Sequence, residues 1–307
     1  MIRSFTRSAL AAALIVSAPA LAQTAAPATT ATAAPVPAAN FTSDRIAVTV
    51  TGNGPDVVLI PGLGSSPRVW TNMIAAVPGY RYHLIQVKGF AGVAPEANAT
   101  GPLVGPVAAE IARYIESARL ERPALIGHSM GGTLAMTIAT SNPTRVGKLM
   151  VVDMFPFMGA MFGGPTATPD SVRPMAEQIR TRMAASTPEQ SRAQIERTIA
   201  GMVRTEAMRP AAVADSVTSD TAVTSQAFYD LITTDLGPSL PRYNGPMKVL
   251  WAMPTGAPLS QEMMAMFYRS AYAAARQATV TYIPDSAHFI MYDQPARFAQ
   301  EVIDFLK

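Results

Sequence analysis

Two hydrophobic rhythms alternate along this chain. Short runs of aliphatic and β-branched residues at 45–51, 56–60, 82–87, 124–126, 148–152, 247–253 and 279–283 have the length and composition of strands. Between them, longer stretches at 69–76, 104–118, 130–141, 261–276 and 295–306 read as helices. Within 104–118, Val107, Ile111 and Ile115 recur on one face, which turns that face toward a sheet. Strands that are apolar throughout, separated by helices, predict an α/β domain on a mostly parallel, doubly wound sheet covered on both sides.

The alternation stops between Met154 and Leu240, where no run reads as a strand. A loop rich in Met, Phe, Gly and Pro (155–169) leads into amphipathic stretches at 171–185 and 188–204. Residues 154–240 therefore read as a helical insertion, a lid over the carboxyl edge of the sheet, where open α/β sheets bind ligands. The core then comprises 41–153 and 241–307. Met158, Met161, Met175, Met183, Met202 and Met208 fit either a small insertion core or a pliable apolar wall for a substrate.

The amino-terminal residues follow a different pattern. Arg3 and Arg7 precede an apolar stretch from Ala9 to Val16, and Ala20-Leu21-Ala22 has the form of a cleavage site. Residues 1–22 thus read as a signal peptide, which implies an exported protein, periplasmic or secreted, with no stable membrane anchor after cleavage. Residues 23–40 are an Ala/Pro/Thr tract with few large apolar side chains, expected to stay a disordered linker.

Composition narrows the chemistry. Losing Arg3 and Arg7 with the leader leaves 22 basic residues against 21 acidic ones, so nothing points to a nucleic-acid partner. With no cysteine, the chain has no disulfide, no thiol nucleophile and no Cys-based metal site.

The motif that says most is Gly127-His128-Ser129-Met130-Gly131, entered from the run Pro123-Ala124-Leu125-Ile126 and left through a helical stretch. A serine between two glycines at a strand-to-helix turn is the form of a nucleophile elbow. The turn is sharp enough that the positions two before and two after the serine must be nearly bare. The hydroxyl is then raised above the sheet edge at a helix N-terminus, whose dipole favours developing negative charge.

Together with Leu59-Ile60-Pro61-Gly62-Leu63-Gly64, Leu149-Met150-Val151-Val152-Asp153 and Ile283-Pro284-Asp285-Ser286-Ala287-His288-Phe289, this motif makes the chain from about Phe41 resemble a lid-bearing α/β-hydrolase. The sequence holds three histidines. His128 directly precedes the serine in the chain and points away from it, and His83 lies within a strand as a structural residue. His288, in a loop after the last strand, is the expected general base for Ser129.

The acid departs from the usual family pattern. After the penultimate strand, Trp251-Ala252-Met253-Pro254-Thr255-Gly256-Ala257-Pro258 offers no carboxylate, and the next, Glu262, falls inside a helix. Haloalkane dehalogenases in this family place a glutamate one strand earlier, where Asp153 stands here. Asp153 is the preferred acid, with Asp285 the rival and a Ser–His pair without an acid as the third option. The resemblance also implies an oxyanion hole from the amides of Met130 and Leu63. Where the family usually has His-Gly, this chain has Pro61-Gly62, which loses a side-chain bond bracing the loop and leaves the Leu63 N–H free. Gly89-Phe90-Ala91-Gly92 resembles a structural turn of the family, and Trp70, Phe155 and Phe157 are candidates for pocket or core.

The implied activity is hydrolysis of an ester, or of a related lactone, thioester or amide, through an acyl-enzyme on Ser129. The substrate is a small acyl compound, and no metal or organic cofactor is implied. A serine at this place argues against dehalogenase and epoxide hydrolase chemistry, which use an aspartate. Two alternatives are an aminopeptidase resembling proline iminopeptidases, gripping an amine through Glu189, Glu196 or Glu206, and a non-catalytic ligand-binding protein on a hydrolase scaffold.

Overall fold

The computed structural model describes residues 36–38, 41–256 and 259–307. The expected signal peptide, 1–22, lies outside the described residues. Their strands are β1 (Val36–Pro37), β2 (Ile46–Thr51), β3 (Asp56–Ile60), β4 (Arg81–Val87), β5 (Ala124–His128), β6 (Lys148–Val152), β7 (Met247–Trp251) and β8 (Ala278–Tyr282). They form one sheet in the order β1-β2-β4-β3-β5-β6-β7-β8. β2 runs antiparallel to both β1 and β4, and every pairing from β4 across to β8 is parallel. The mostly parallel, doubly wound sheet expected from the alternation is present.

The helices are α1 (Thr71–Ala76), α2 (Val104–Ser117), α3 (Met130–Ser141), α4 (Ala160–Gly163), α5 (Pro169–Ala184), α6 (Pro188–Met202), α7 (Arg209–Val217), α8 (Thr221–Thr233), α9 (Gln261–Ala271), α10 (Ile290–Asp293) and α11 (Pro295–Leu306). The period-2 alternation of strand side chains divides the core in two. Val58, Ile60, Ile85, Leu125, Val151 and Val249 pack with α2, α3, α8 and α9 on one face. Val57, Leu59, Leu84, Ile126, Val152 and Leu250 pack with α1, α10 and α11 on the other. As expected, Val107, Ile111 and Ile115 lie on the buried face of α2.

Several boundaries shift for local reasons. The linker tract contributes β1, because the outer edge of β2 offers unpaired backbone groups: Ala38 N–H donates to the Val48 carbonyl at 2.9 Å. That segment is therefore not wholly without structure. β7 stops at Trp251 because the N–H of Ala252 turns to a side chain, the Asp153 carboxylate, at 3.0 Å. α9 ends at Ala271, short of the expected 276, in tight turns that return the chain to β8. The stretch 69–76 divides into a 3-10 turn, Pro67–Trp70, and α1.

The break at 154–240 follows β6 and is built of helices α4 to α8 and short 3-10 turns, with one isolated bridge, Phe157 to Asp235, among its described residues. Thr168 and Thr187 start α5 and α6 with capping boxes, each followed by proline at the first helical position. α5 pairs with α8 over a small core of Val172, Ala176 and Ile232. The methionines divide accordingly: Met158 and Met175 pack on that small core, Met202 and Met208 on the sheet, and Met161 is exposed. Among the described residues no helix is long and apolar enough to cross a membrane.

Candidate active site

Strand register brings the candidate residues to one edge. Ile60 pairs with Gly127, His128 with Val152, Val152 with Leu250, and Trp251 with Tyr282. The carboxyl ends of β3, β5, β6, β7 and β8 are thereby level. The loop at 61–64, Ser129, Asp153, Ala252 and the loop holding His288 all leave the sheet there.

Ser129 sits between β5 and α3 with φ 54° and ψ −122°, a left-handed backbone that a non-glycine residue adopts only under strain. Its amide donates to the Val152 carbonyl at 2.9 Å, and its carbonyl receives the Gly132 N–H at 2.7 Å. A methyl group on Gly127 would be driven into the Gly131 carbonyl, and one on Gly131 into the Ile60 carbonyl. The two bare positions are therefore a steric requirement of the elbow. At Gly62, the site a Cβ would fill is 3.1 Å from Ser129 Cβ, so the 61–64 loop lies directly against the serine. Among the described residues, the amides of Leu63 and Met130 have no acceptor; Met130 directly follows Ser129, and Leu63 follows the Gly62 that lies against it.

Asp153 follows β6 with φ 52° and is buried. One carboxylate oxygen accepts from the Ala252 N–H at 3.0 Å and the Tyr268 hydroxyl at 2.9 Å. The other meets Nδ1 of His288 at 2.7 Å. Burial, with the Asp153 charge beside it, pushes the Tyr268 hydroxyl well above its ordinary range, so it stays protonated and donates. The rival Asp285 is exposed, and among the described residues it is engaged through its backbone carbonyl, by Gln294 Nε2 at 3.0 Å. No hydrogen bond joins Ser129 Oγ to His288, and Nε2 of that ring has no partner among the described residues. Such contacts often tighten only when substrate binds.

His128 does not pair with Ser129. Its Nε2 donates to the His288 carbonyl at 3.0 Å, with the two rings 4.6 Å apart. Complete burial, and then the neighbouring His288, hold its pKa well below the ordinary 6.5. The ring is neutral, and its bare Nδ1 has no proton to satisfy. The His288 loop is also held by Asp293, whose carboxylate accepts from Ala287 N–H at 2.9 Å and from Arg204 and Thr205 N–H of the insertion. His83 is structural, between Tyr114 Oη at 2.6 Å and Asp56 at 2.8 Å.

The aromatic candidates fall into the core: Trp70 is buried against Phe298, Phe155 stacks on Tyr268, and Phe157 packs with the insertion core. Phe90 is buried in the turn at 89–92. Glu189, Glu196 and Glu206 are exposed, the last two paired with Arg192 and Arg209. The contribution of Tyr268 was not legible in the sequence. Its spacing from Met264 marks the buried face of α9, but nothing local says that its hydroxyl meets a carboxylate 115 residues away.

An elbow serine, a carboxylate-held histidine and two free amides at the carboxyl edge of this sheet define a class of protein. The chain belongs to the alpha/beta hydrolase family, whose model matches residues 57–301. Among sequence relatives, it is 31% identical over 125 residues to a pimeloyl-[acyl-carrier protein] methyl ester esterase of Pectobacterium atrosepticum, covering 40% of this chain and 46% of that protein. It is 34% identical over 135 residues to a 2-hydroxy-6-oxononadienedioate/2-hydroxy-6-oxononatrienedioate hydrolase of Cupriavidus pinatubonensis, covering 41% and 43%. The chain thus spans less than half the length of the curated relatives it matches. The enol-lactonase from Burkholderia xenovorans shares the fold with a TM-score of 0.67 at 17% identity, over 85% of this chain and 96% of that one. An esterase from Exiguobacterium antarcticum does so with a TM-score of 0.70 at 18% identity, over 85% and 95%.

Proposed function

We propose that the protein is a serine hydrolase that cleaves a carboxylic ester, or a related lactone, thioester or amide, through an acyl-enzyme on Ser129. The observation behind this reading is the Asp153–His288 bond of 2.7 Å beside the strained elbow serine. Bound to Asp153 through Nδ1–H, the imidazole presents an unprotonated Nε2 that takes the Ser129 proton as Oγ attacks the carbonyl carbon. The oxygen that becomes negative lies between the Leu63 and Met130 amides. His288 then returns the proton to the leaving alkoxide or amine. A water molecule, deprotonated by the same ring, attacks the acyl-enzyme and releases the acid and Ser129. The steps use protein groups and water alone.

The substrate we infer is a small acyl compound rather than an acyl group on an acidic carrier protein. The insertion, 154–240, holds seven arginines and no lysine against nine acidic residues, so it offers no net positive face for such a carrier. In this reading the insertion is a lid. An aminopeptidase would need carboxylates aimed at the serine, a task for which exposed Glu189, Glu196 and Glu206 are poorly suited. We also propose export through residues 1–22. An intact mass beginning at Gln23 in a periplasmic or culture fraction supports export, and an uncleaved chain in the cytoplasm contradicts it.

Hydrolysis of p-nitrophenyl acetate and butyrate, beside Ser129→Ala and His288→Ala, tests the mechanism. Turnover by the parent and its loss in both variants is the expected result. Absent turnover together with no fluorophosphonate labelling of Ser129 overturns the reading in favour of a ligand-binding protein. Labelling without turnover retains the nucleophile and changes the substrate class.

A further inference from the structure

The loop that presents the Leu63 amide is held from outside the sheet. Asp215, near the end of α7, is a buried carboxylate, 5% exposed. One of its oxygens accepts from the Ser66 N–H at 3.1 Å and the Ser66 hydroxyl at 2.6 Å, and the other takes the Arg68 guanidinium. The residues just after it press on the same region. A Cβ at Gly64 would lie 3.5 Å from Ser216 Cα. Ser219 Oγ accepts from the Ala91 N–H at 2.9 Å and donates to the Asp215 carbonyl at 2.8 Å. The Thr218 carbonyl accepts from Gly92 at 3.0 Å, and the Gly89 carbonyl from Asp220 at 2.7 Å. Within the loop itself, the backbone bond is a single turn, Ser65 N–H to the Gly62 carbonyl at 3.2 Å.

A buried carboxylate with three donors is an expensive device unless it fixes something, since leaving it unpaired is strongly destabilising. The loop it fixes lacks its own brace: Pro61 has neither an N–H nor a polar side chain. We propose that Asp215 is the positioning residue of the oxyanion hole, an anchor supplied by the insertion that holds the 61–66 loop, and with it the Leu63 amide, at the distance where an oxyanion forms. The inference rests on the serine-hydrolase reading. It implies that the insertion is part of the site's electrostatic machinery as well as its cover. Misplacing one amide by a fraction of an ångström weakens transition-state binding far more than substrate binding.

The test compares Asp215→Asn with Asp230→Asn in the full chain. Asp230 anchors the same insertion to a different loop, at the start of α2, accepting from Leu103 N–H at 2.6 Å and Val104 N–H at 3.0 Å. With p-nitrophenyl butyrate, Asp215→Asn is expected to lower kcat by about 10- to 100-fold with KM within about threefold. Amide hydrogen exchange in 62–66 is expected to quicken. Asp230→Asn is expected to lower Tm and leave kcat and loop exchange within about twofold. Should Asp215→Asn fail to fold, Ser66→Ala removes the 2.6 Å donor, together with the cap that Ser66 Oγ gives Arg68, and is expected to shift kcat and loop exchange in the same direction. Loop exchange equal to the parent's overturns the anchor, whatever the turnover. Faster exchange with unchanged kcat overturns its part in catalysis. A parent that neither turns over nor labels overturns the hydrolase reading instead, and loop exchange still decides whether Asp215 holds the loop.

Discussion

At the scale of single residues, the site is organised around one carboxylate. Asp153 receives three donors, from Ala252, Tyr268 and His288, so both oxygens are spoken for and the imidazole has one tautomer available. Replacing Asp153 by Asn puts an NH2 donor within reach of Nδ1 and moves the ring proton to Nε2, where it blocks proton transfer. In ester hydrolysis assays, Asp153→Asn is expected to lower kcat by about 10³- to 10⁴-fold with little change in KM. Tyr268→Phe keeps the stacking on Trp251 and Phe155 but removes one charge-assisted bond. It is expected to cost about 1–3 kcal/mol of stability by chemical denaturation and to lower kcat about tenfold. A Tyr268→Phe enzyme with parental kcat would show that Ala252 and His288 suffice to hold the carboxylate. Asp285 was a plausible rival in sequence because it lies three residues from His288. In the fold its own left-handed backbone, φ 54°, directs the carboxylate to solvent.

Among the elements, the elbow and the insertion obey different constraints. The elbow is steric: β5, α3 and the β3 loop approach so closely that Gly127 and Gly131 have no room for a methyl group. Gly127→Ala is expected to destabilise the protein by about 3 kcal/mol or more, read by denaturant unfolding, and to abolish fluorophosphonate labelling of Ser129. The insertion instead has a thin core of its own. Ile232→Ala, beneath the α5–α8 pair, is expected to cost about 2–4 kcal/mol locally. Limited proteolysis should then cut within 160–184 before the sheet unfolds; loss of both together would show that insertion and sheet unfold as one. α6 starts at Pro188 as the sequence reading expects, whereas α5 starts at Pro169, two residues before the expected 171, where Thr168 caps it. α7 was not legible in the sequence: it has no side-chain N-cap, and its polar end is made buried by the loops it anchors.

For the molecule as a whole, acid should be the weak side. His128 and His83 are both buried with pKa values below the ordinary 6.5, burial being the largest cause in each. Folded, they stay neutral; unfolded, they bind protons once the pH drops below about 6.5. The unfolded state then holds more protons, so stability falls as pH decreases from there toward the folded-state pKa values. Tm measured from pH 7.5 to 5.5 is expected to decline, and less so in His83→Gln. A flat profile would mean that these rings ionise within the fold. Lowered Asp56 works in a different window, below its ordinary 3.8, and does not offset this.

What the sequence determined by itself was everything governed by local periodicity and sterics. The strand and helix rhythm, the bare glycines around Ser129, the amphipathic stretches at 171–185 and 188–204 and the elimination of His83 follow from neighbours within a few residues. The pairing of His288 with Asp153 and not Asp285, the bond from Tyr268 to that carboxylate and the grip of Asp215 on Ser66 belong to the tertiary structure. Each joins residues 115 to 149 positions apart, or about that far. Such pairs meet only because parallel strand register levels the sheet edge and because the insertion folds back over it. A hydrogen bond needs a partner within about 3 Å, and no spacing along the chain encodes that distance.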